Sequence, residues 1–214
     1  MLTSFALASL LWISPFASDV ACVPVDPTPV PIDEDLRKIY ASGRSYTDFL
    51  GAATRRVELW HENTERSAEI DPALVARARA VGGNWKFLAV AIDSCSDSVS
   101  TIPYLARLVA MVDGLDMRVV DPTTGRGIME SHPTRDGRAS TPTVLLLDPS
   151  FEEAGCFIER PPELKTWILE EGFSSNEVYP RKMAWYEEDA GHHTVEAFVE
   201  MLEAAAAGGD SVCR

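Results

Sequence analysis

The sequence predicts an α/β protein: a four-stranded mixed sheet with flanking helices, extended by further helices at both ends. Three observations predict it. The apolar run Trp85 to Ile92 has the length and composition of a buried strand. From there the order reads strand, helix, strand, short helix, strand, strand, helix, and a strand–helix–strand unit implies a parallel crossover. Thr143 to Asp148 and Cys156 to Glu159 flank a turn at Pro149-Ser150, so they read as a hairpin and make the sheet mixed.

The chain opens on Phe-Ala-Leu-Ala-Ser-Leu-Leu-Trp-Ile at 5–13. That run is too short to span a membrane comfortably and fits the apolar region of a secretory signal over 1–21. No Lys or Arg precedes it, and Asp19 stands where a small residue is wanted before cleavage. A buried amphipathic helix, or a start codon assigned too far upstream, are the competing readings, and they leave the protein cytoplasmic. Ala21-Cys22 is similar to a bacterial lipoprotein junction, so lipid anchoring at Cys22 is a variant of the export reading. Pro24, Pro27, Pro29 and Pro31 make 22–32 a stiff extended linker.

Residues 33–84 read as a helical extension. Asp33 can cap a helix through Phe49, with Leu36, Ile39 and Tyr40 on one face and Gly51 ending it. A short segment holds Val57, Leu59 and Trp60. Asp71-Pro72 supplies a cap and a first-turn proline for a helix that stops at Gly82-Gly83. A core follows over 85–172: the first strand, a helix from Val99 to Val112, a strand at Met117 to Asp121, a short helix at Ile128 to Ser131, the hairpin, and a helix from Pro161-Pro162 to Glu171. A C-terminal helical extension covers 173–207, its helix or helix pair running from about Arg181, with Val195, Phe198, Val199 and Leu202 on its apolar face. The tail is 208–214, after a helix end that frays from Ala204. Trp60, Trp85, Trp167 and Trp185 are expected in the core.

Composition excludes several functions. The 214 residues carry 33 acids against 19 bases, a formal charge of −14. Nucleic-acid binding rests on Lys and Arg, so no nucleic-acid partner is expected. Four cysteines, with no Cys-x-x-Cys, give neither a disulfide-stapled miniprotein nor a zinc ribbon. No Cys, His or Asp set has metal-ligand spacing along the chain, and His192-His193 reads as solvated surface, so no metal and no cofactor are expected. His61-Glu62 lacks a second histidine, Ser98 lacks a nucleophile elbow, and Gly125-Arg126-Gly127 reads as a loop.

One segment carries chemistry. Cys95 lies at the carboxyl end of the first strand, where open α/β sheets place their sites, and at the start of a helix. Unpaired N–H groups and the helix dipole there favour an anion, which activates a thiol. Ser96 or Ser98 can donate to the sulfur. Asp97 opposes a thiolate unless its carboxylate points away or caps the helix. Ser140-Thr141-Pro142 precedes the third strand, and a cis Thr141–Pro142 bond would leave the Thr141 backbone groups open to an extended peptide. The candidate catalytic residues are Cys95, Asp97 and Ser98. The candidate substrate-binding residues are Thr141 and Pro142.

Cys95-Ser96-Asp97-Ser98, four residues and then Pro103 has the spacing of the thioredoxin active-site helix. With the strand order and Pro142, the chain resembles the thioredoxin-like superfamily, and more narrowly a bacterial branch of it. That branch carries Trp-Cys-Gly-Asp-Ala/Ser after the first strand, Gly-Arg-Ser-Ile-Pro before the third, an Arg-Pro after the hairpin and a C-terminal Trp-Tyr. The matching residues are Cys95, Asp97, Ser98, Ser140, Pro142, Arg160, Pro161, Trp185 and Tyr186, continued by Asp189, Gly191 and Thr194. Ser94, Ser96 and Ala139 depart from the pattern, and Ser98 stands where thioredoxin has its second cysteine.

The resemblance implies a thioredoxin-like fold and thiol–disulfide exchange by one cysteine, with Cys95 as nucleophile. Disulfide cycling within Cys-x-x-Cys is not available to it. A monothiol forms a mixed disulfide and needs a second thiol to resolve it. Glutathione or a partner protein's thiol is the natural choice. Cys156 is either a resolving thiol or a small buried residue. Cys22 and Cys213 either pair with each other or leave Cys213 a free tail thiol. The alternative function is a redox-inactive module that binds peptides in the groove beside Pro142.

Overall fold

The computed structural model describes residues 35–172, 174–209 and 212–213. The expected signal, Cys22, the proline linker and Asp33 lie outside the described residues.

Among the described residues, four α-helices precede the sheet: α1 (Leu36–Ser42), α2 (Tyr46–Gly51), α3 (Val57–Arg66) and α4 (Pro72–Val81). The single helix expected from Asp33 to Phe49 is therefore two, and its cap is Asp35, which accepts from the Lys38 N–H. The break has a tertiary cause. Arg44 exchanges two 2.9 Å backbone hydrogen bonds with Val119. Gly43 allows that approach, because a Cβ there would sit 2.7 Å from the Arg118 Cβ. Ser45 then caps α2 by accepting from the Asp48 N–H. In α4 the expected signals operate: Asp71 accepts from the Ala73 N–H at 2.8 Å, and Gly82 ends the helix with φ of 63°.

The sheet region runs β1 (Trp85–Val90), α5 (Ser96–Met111), β2 (Leu115–Val120), α6 (Arg126–Ser131), β3 (Thr143–Leu147), β4 (Glu153–Ile158), α7 (Pro162–Glu171), α8 (Ser175–Asp189), α9 (His192–Ala206) and β5 (Val212–Cys213). Strand order is β2-β1-β3-β4-β5. β1 and β2 are parallel, while β3 is antiparallel to both β1 and β4. The expected four-stranded mixed sheet is present. To it the tail adds a short fifth strand, β5, parallel to β4.

The two-residue period of the strands divides the core. Phe87, Ala89, Val119, Val144, Leu146 and Phe157 face one side and pack with residues of α3, α4, α5 and α9. Leu88, Val90, Val120, Leu145 and Leu147 face the other, against Tyr40 of α1 and Ile128 and Met129 of α6. Of the four tryptophans expected in the core only Trp60 is fully buried; the others are half-buried. Arg77 of α4 makes a two-pronged ion pair with Glu203 of α9, at 3.0 and 2.8 Å.

α5 begins at Ser96, three residues before the expected start, and carries Pro103 inside it. A proline lacks the N–H that would bond the carbonyl four residues back. That carbonyl belongs to Val99, and the buried Asn63 side chain of α3 donates to it at 2.9 Å. The defect in one helix is repaired by a side chain from another. Among the described residues no helix is long and apolar enough to cross a membrane.

Candidate functional site

Cys95 is the N-cap of α5, with extended backbone at φ −81° and ψ 127°. Its sulfur accepts from the Ser98 backbone N–H at 3.5 Å. Sulfur thus takes the part that a Ser or Asp oxygen usually plays at a helix start. The expectation that a Ser96 or Ser98 hydroxyl donates to the sulfur is corrected for Ser98: its Oγ is buried with no hydrogen-bond partner, and the backbone is the donor. Helix geometry explains this, because N-terminal N–H groups point along the axis at the cap.

The Thr141–Pro142 bond is cis. The Cys95 thiol donates to the Thr141 carbonyl at 3.1 Å. Thr141 stands outside the strand ladder, which begins at Thr143, while the Pro142 carbonyl accepts from the Glu159 N–H at 2.8 Å. Cys95 is half-buried and is the free cysteine among the described residues.

The loop leading to Cys95 is held from the N-terminal helices. The Asp93 carboxylate accepts from the Thr54 and Arg55 N–H groups at 2.8 and 3.0 Å. The Trp60 indole donates to the Asp93 carbonyl at 3.0 Å, and Arg56 Nε to the Ser94 carbonyl at 2.7 Å. Burial raises the Asp93 pKa, but the Thr54 and Arg55 donors outweigh it and hold the carboxyl below its ordinary value. Sequence reasoning missed these supports, because their donors lie more than thirty residues upstream.

Asp97, in the first turn of α5, engages partners from later in the chain. Its carboxylate is buried and accepts from Arg160 Nε at 3.2 Å, Lys182 Nζ at 2.5 Å and the Tyr186 hydroxyl at 3.0 Å. Arg160 also pairs with Glu159 at 3.1 Å, and Arg138 reaches the same Glu159 oxygen at 3.5 Å. Burial and then the Asp97 charge push the Tyr186 hydroxyl well above its ordinary pKa. Burial works against the charged Arg160, yet Asp97 and Glu159 leave its pKa raised. Arg160 and Tyr186 are among the motif residues, but Lys182 was missed. Its signal was a four-residue spacing to Tyr186, which puts both on one face of α8.

Cys156 and Cys213 form a disulfide. Both alternatives for Cys213 are thereby corrected, as is the resolving role considered for Cys156. The β4–β5 register sets the two cysteines side by side, which separation along the chain does not reveal. A cavity of about 650 Å³ lies beside this disulfide, lined by Arg138, Ile158, Glu159, Arg160, Lys165 and Leu169 among others. It adjoins Arg160 and is not lined by Cys95. His193, in the first turn of α9, pairs with Asp189, the last residue of α8. The expectation of no metal site rested on spacing along the chain; the fold brings His132, Glu153, Cys156 and Cys213 together.

Fold and cap geometry together define a protein of the thioredoxin-like class. The chain belongs to the thioredoxin family whose profile matches residues 43–177. It is similar in fold to a Pseudomonas aeruginosa protein of unknown function, with 18% identity, a TM-score of 0.64, and 80% of this chain and 99% of that one covered. It is similar too to an HIV epitope scaffold, with 15% identity, a TM-score of 0.65 and the same two coverages of 80% and 99%. No match is found among curated proteins.

Proposed function

We propose that the protein is an exported monothiol member of the thioredoxin family that carries out thiol–disulfide exchange through Cys95. One observation carries the reading: a free, half-buried sulfur caps a helix and lies 3.1 Å from the Thr141 carbonyl. Donation from a helix-terminal N–H stabilises negative charge on sulfur. The Cys95 thiolate attacks one sulfur of a substrate disulfide. A Cys95–substrate disulfide forms, the substrate S–S bond breaks, and the departing thiolate takes a proton from water. A second thiol, from glutathione or a partner protein, then attacks the mixed disulfide and returns Cys95 to its thiolate. Thr141 and Pro142 hold the extended substrate segment through its backbone. Asp97 is a positioning residue that locks the first turn of α5 through Arg160, Lys182 and Tyr186. Export is supported by the apolar run at 5–13 and by a disulfide of the kind that oxidising compartments preserve.

The test is to incubate the protein with oxidised glutathione and map the adduct by peptide mass. The expected product is glutathione on Cys95, absent in Cys95→Ser and released by reduced glutathione. A protein that stays unmodified at Cys95 while still capturing extended peptides would be the redox-inactive binding module instead.

A further inference from the structure

Four groups of metal-ligand type, distant in sequence, meet at the β4–β5 edge. His132 follows α6, Glu153 and Cys156 lie on β4, and Cys213 lies on β5. One ligand atom from each is within 4.8 Å of all the others.

The histidine is oriented for coordination. Its Nδ1 lies 2.9 Å from the Ile128 carbonyl, an acceptor, so Nδ1 carries the hydrogen. The ring then directs Nε2 at Glu153 Oε1, 3.0 Å away, as the lone pair of a neutral ring or the N–H of a protonated one. Two acceptors at that distance require something positive between them, a proton or a cation. A backbone carbonyl on the far nitrogen is also how metal-bound histidines are held. The ring is buried, with 1% of its side chain exposed.

The sulfurs decide which cation. Bonded to each other they are poor ligands. Reduced, they become two thiolates beside an imidazole and a carboxylate, a soft, four-donor set suited to Zn²⁺ rather than to Ca²⁺ or Mg²⁺. Tetrahedral zinc with its usual sulfur bond lengths sets two thiolates about 3.7 Å apart. Cys213 is exposed on a two-residue strand, so the opening falls on the sulfur with the least packing around it.

We propose that reduction of the Cys156–Cys213 disulfide turns this corner into a Zn²⁺ site whose ligands are His132 Nε2, a Glu153 oxygen, Cys156 Sγ and Cys213 Sγ. Disulfide and metal are then alternative staples for the C-terminal strand. The reductant is a dithiol. Its two electrons break the S–S bond, the dithiol becomes a disulfide, zinc forms two bonds to the thiolates, and two protons leave to solvent.

The experiment uses the full chain with Cys22→Ser and Cys95→Ser, so that Cys156 and Cys213 are its thiols. The reduced protein is titrated anaerobically with Co²⁺ as the probe and then with Zn²⁺. The expected result is one Co²⁺ per chain, with the intense visible bands of tetrahedral cobalt and a thiolate charge-transfer band. One equivalent of Zn²⁺ bleaches both, and the oxidised chain shows neither. Cys213→Ser and Glu153→Gln each weaken binding at least ~10-fold, and neither lies in the packed interior. Weak octahedral bands in the reduced chain, equal binding by the oxidised chain, or Co²⁺ affinity unchanged in both variants would overturn the proposal.

Discussion

The Cys95 thiol and the Thr141 carbonyl are hydrogen-bonded at 3.1 Å across 46 residues of chain. The contact joins the start of α5 to the segment before β3, so the sulfur is fixed between a helix terminus and a backbone group that the strands leave unused. A serine hydroxyl can make the same two contacts, donating to Thr141 and accepting from Ser98. Cys95→Ser is therefore expected to match the parent in denaturant unfolding while losing all mixed-disulfide formation. Cys95→Ala removes the cap and is expected to cost about 1 kcal/mol in the same measurement.

Asp97→Ala leaves Arg160 and Lys182 facing each other in a buried site. Removing one partner of a buried ion network costs about 3–5 kcal/mol, which a urea midpoint will register. Asp97→Leu combined with Lys182→Met removes one charge of each sign and is expected to be milder than the sum of its parts. A double-mutant cycle measures that difference. Additive losses would show that the four groups act separately.

Asp93 gives a pH dependence of known sign. Its folded-state pKa lies below the ordinary 3.8, since the donors from Thr54 and Arg55 outweigh burial. Its stabilisation is accordingly complete above that value and is lost as pH falls through the folded-state pKa. Unfolding midpoints measured from pH 5 downward should drop more steeply for the parent than for Asp93→Asn. Asp93→Ala at neutral pH should cost about 1.5–3 kcal/mol, the range for hydrogen bonds to a charged group. It should also slow Cys95 labelling, because the loop before the sulfur loses its anchor.

Lys165 lines the cavity beside the disulfide, and burial, the largest influence, brings its pKa down to about 8, with Glu159 opposing and Arg160 assisting. A lysine uncharged above that pH acylates early. Limited acetylation at pH 8 should modify Lys165 ahead of Lys38, which is exposed and pairs with Asp35 at the surface. Peptide mass mapping reads the order directly. Equal labelling of the two would show Lys165 to be an ordinary surface amine.

Local signals made much of this architecture legible. Asp71-Pro72 and Gly82 delimited α4, and the apolar runs at Trp85 and Thr143 gave β1 and β3, because cap chemistry and strand burial act within a few residues. The motif residues Arg160 and Tyr186 lie with Asp97 in the structure. What the sequence hid depends on contacts between distant segments. The break at Gly43 exists because Arg44 pairs with Val119. β5 exists because Val212 and Cys213 find the open edge of β4. The spacing of Lys182 to Tyr186 marks a shared face of α8, but a lysine reads as surface until a carboxylate is placed beside it.

Asn63 and Pro103 carry a practical consequence for anyone who would cut the chain. The order of strands and helices invites a fragment from 85 to 172, yet that cut follows the pattern of the sequence and not its packing. It would remove the amide that answers the Val99 carbonyl, uncover the slot filled by Trp60, and free the backbone that Asp93 ties down. The cysteine-bearing helix of such a fragment would keep its sequence and lose its bearings.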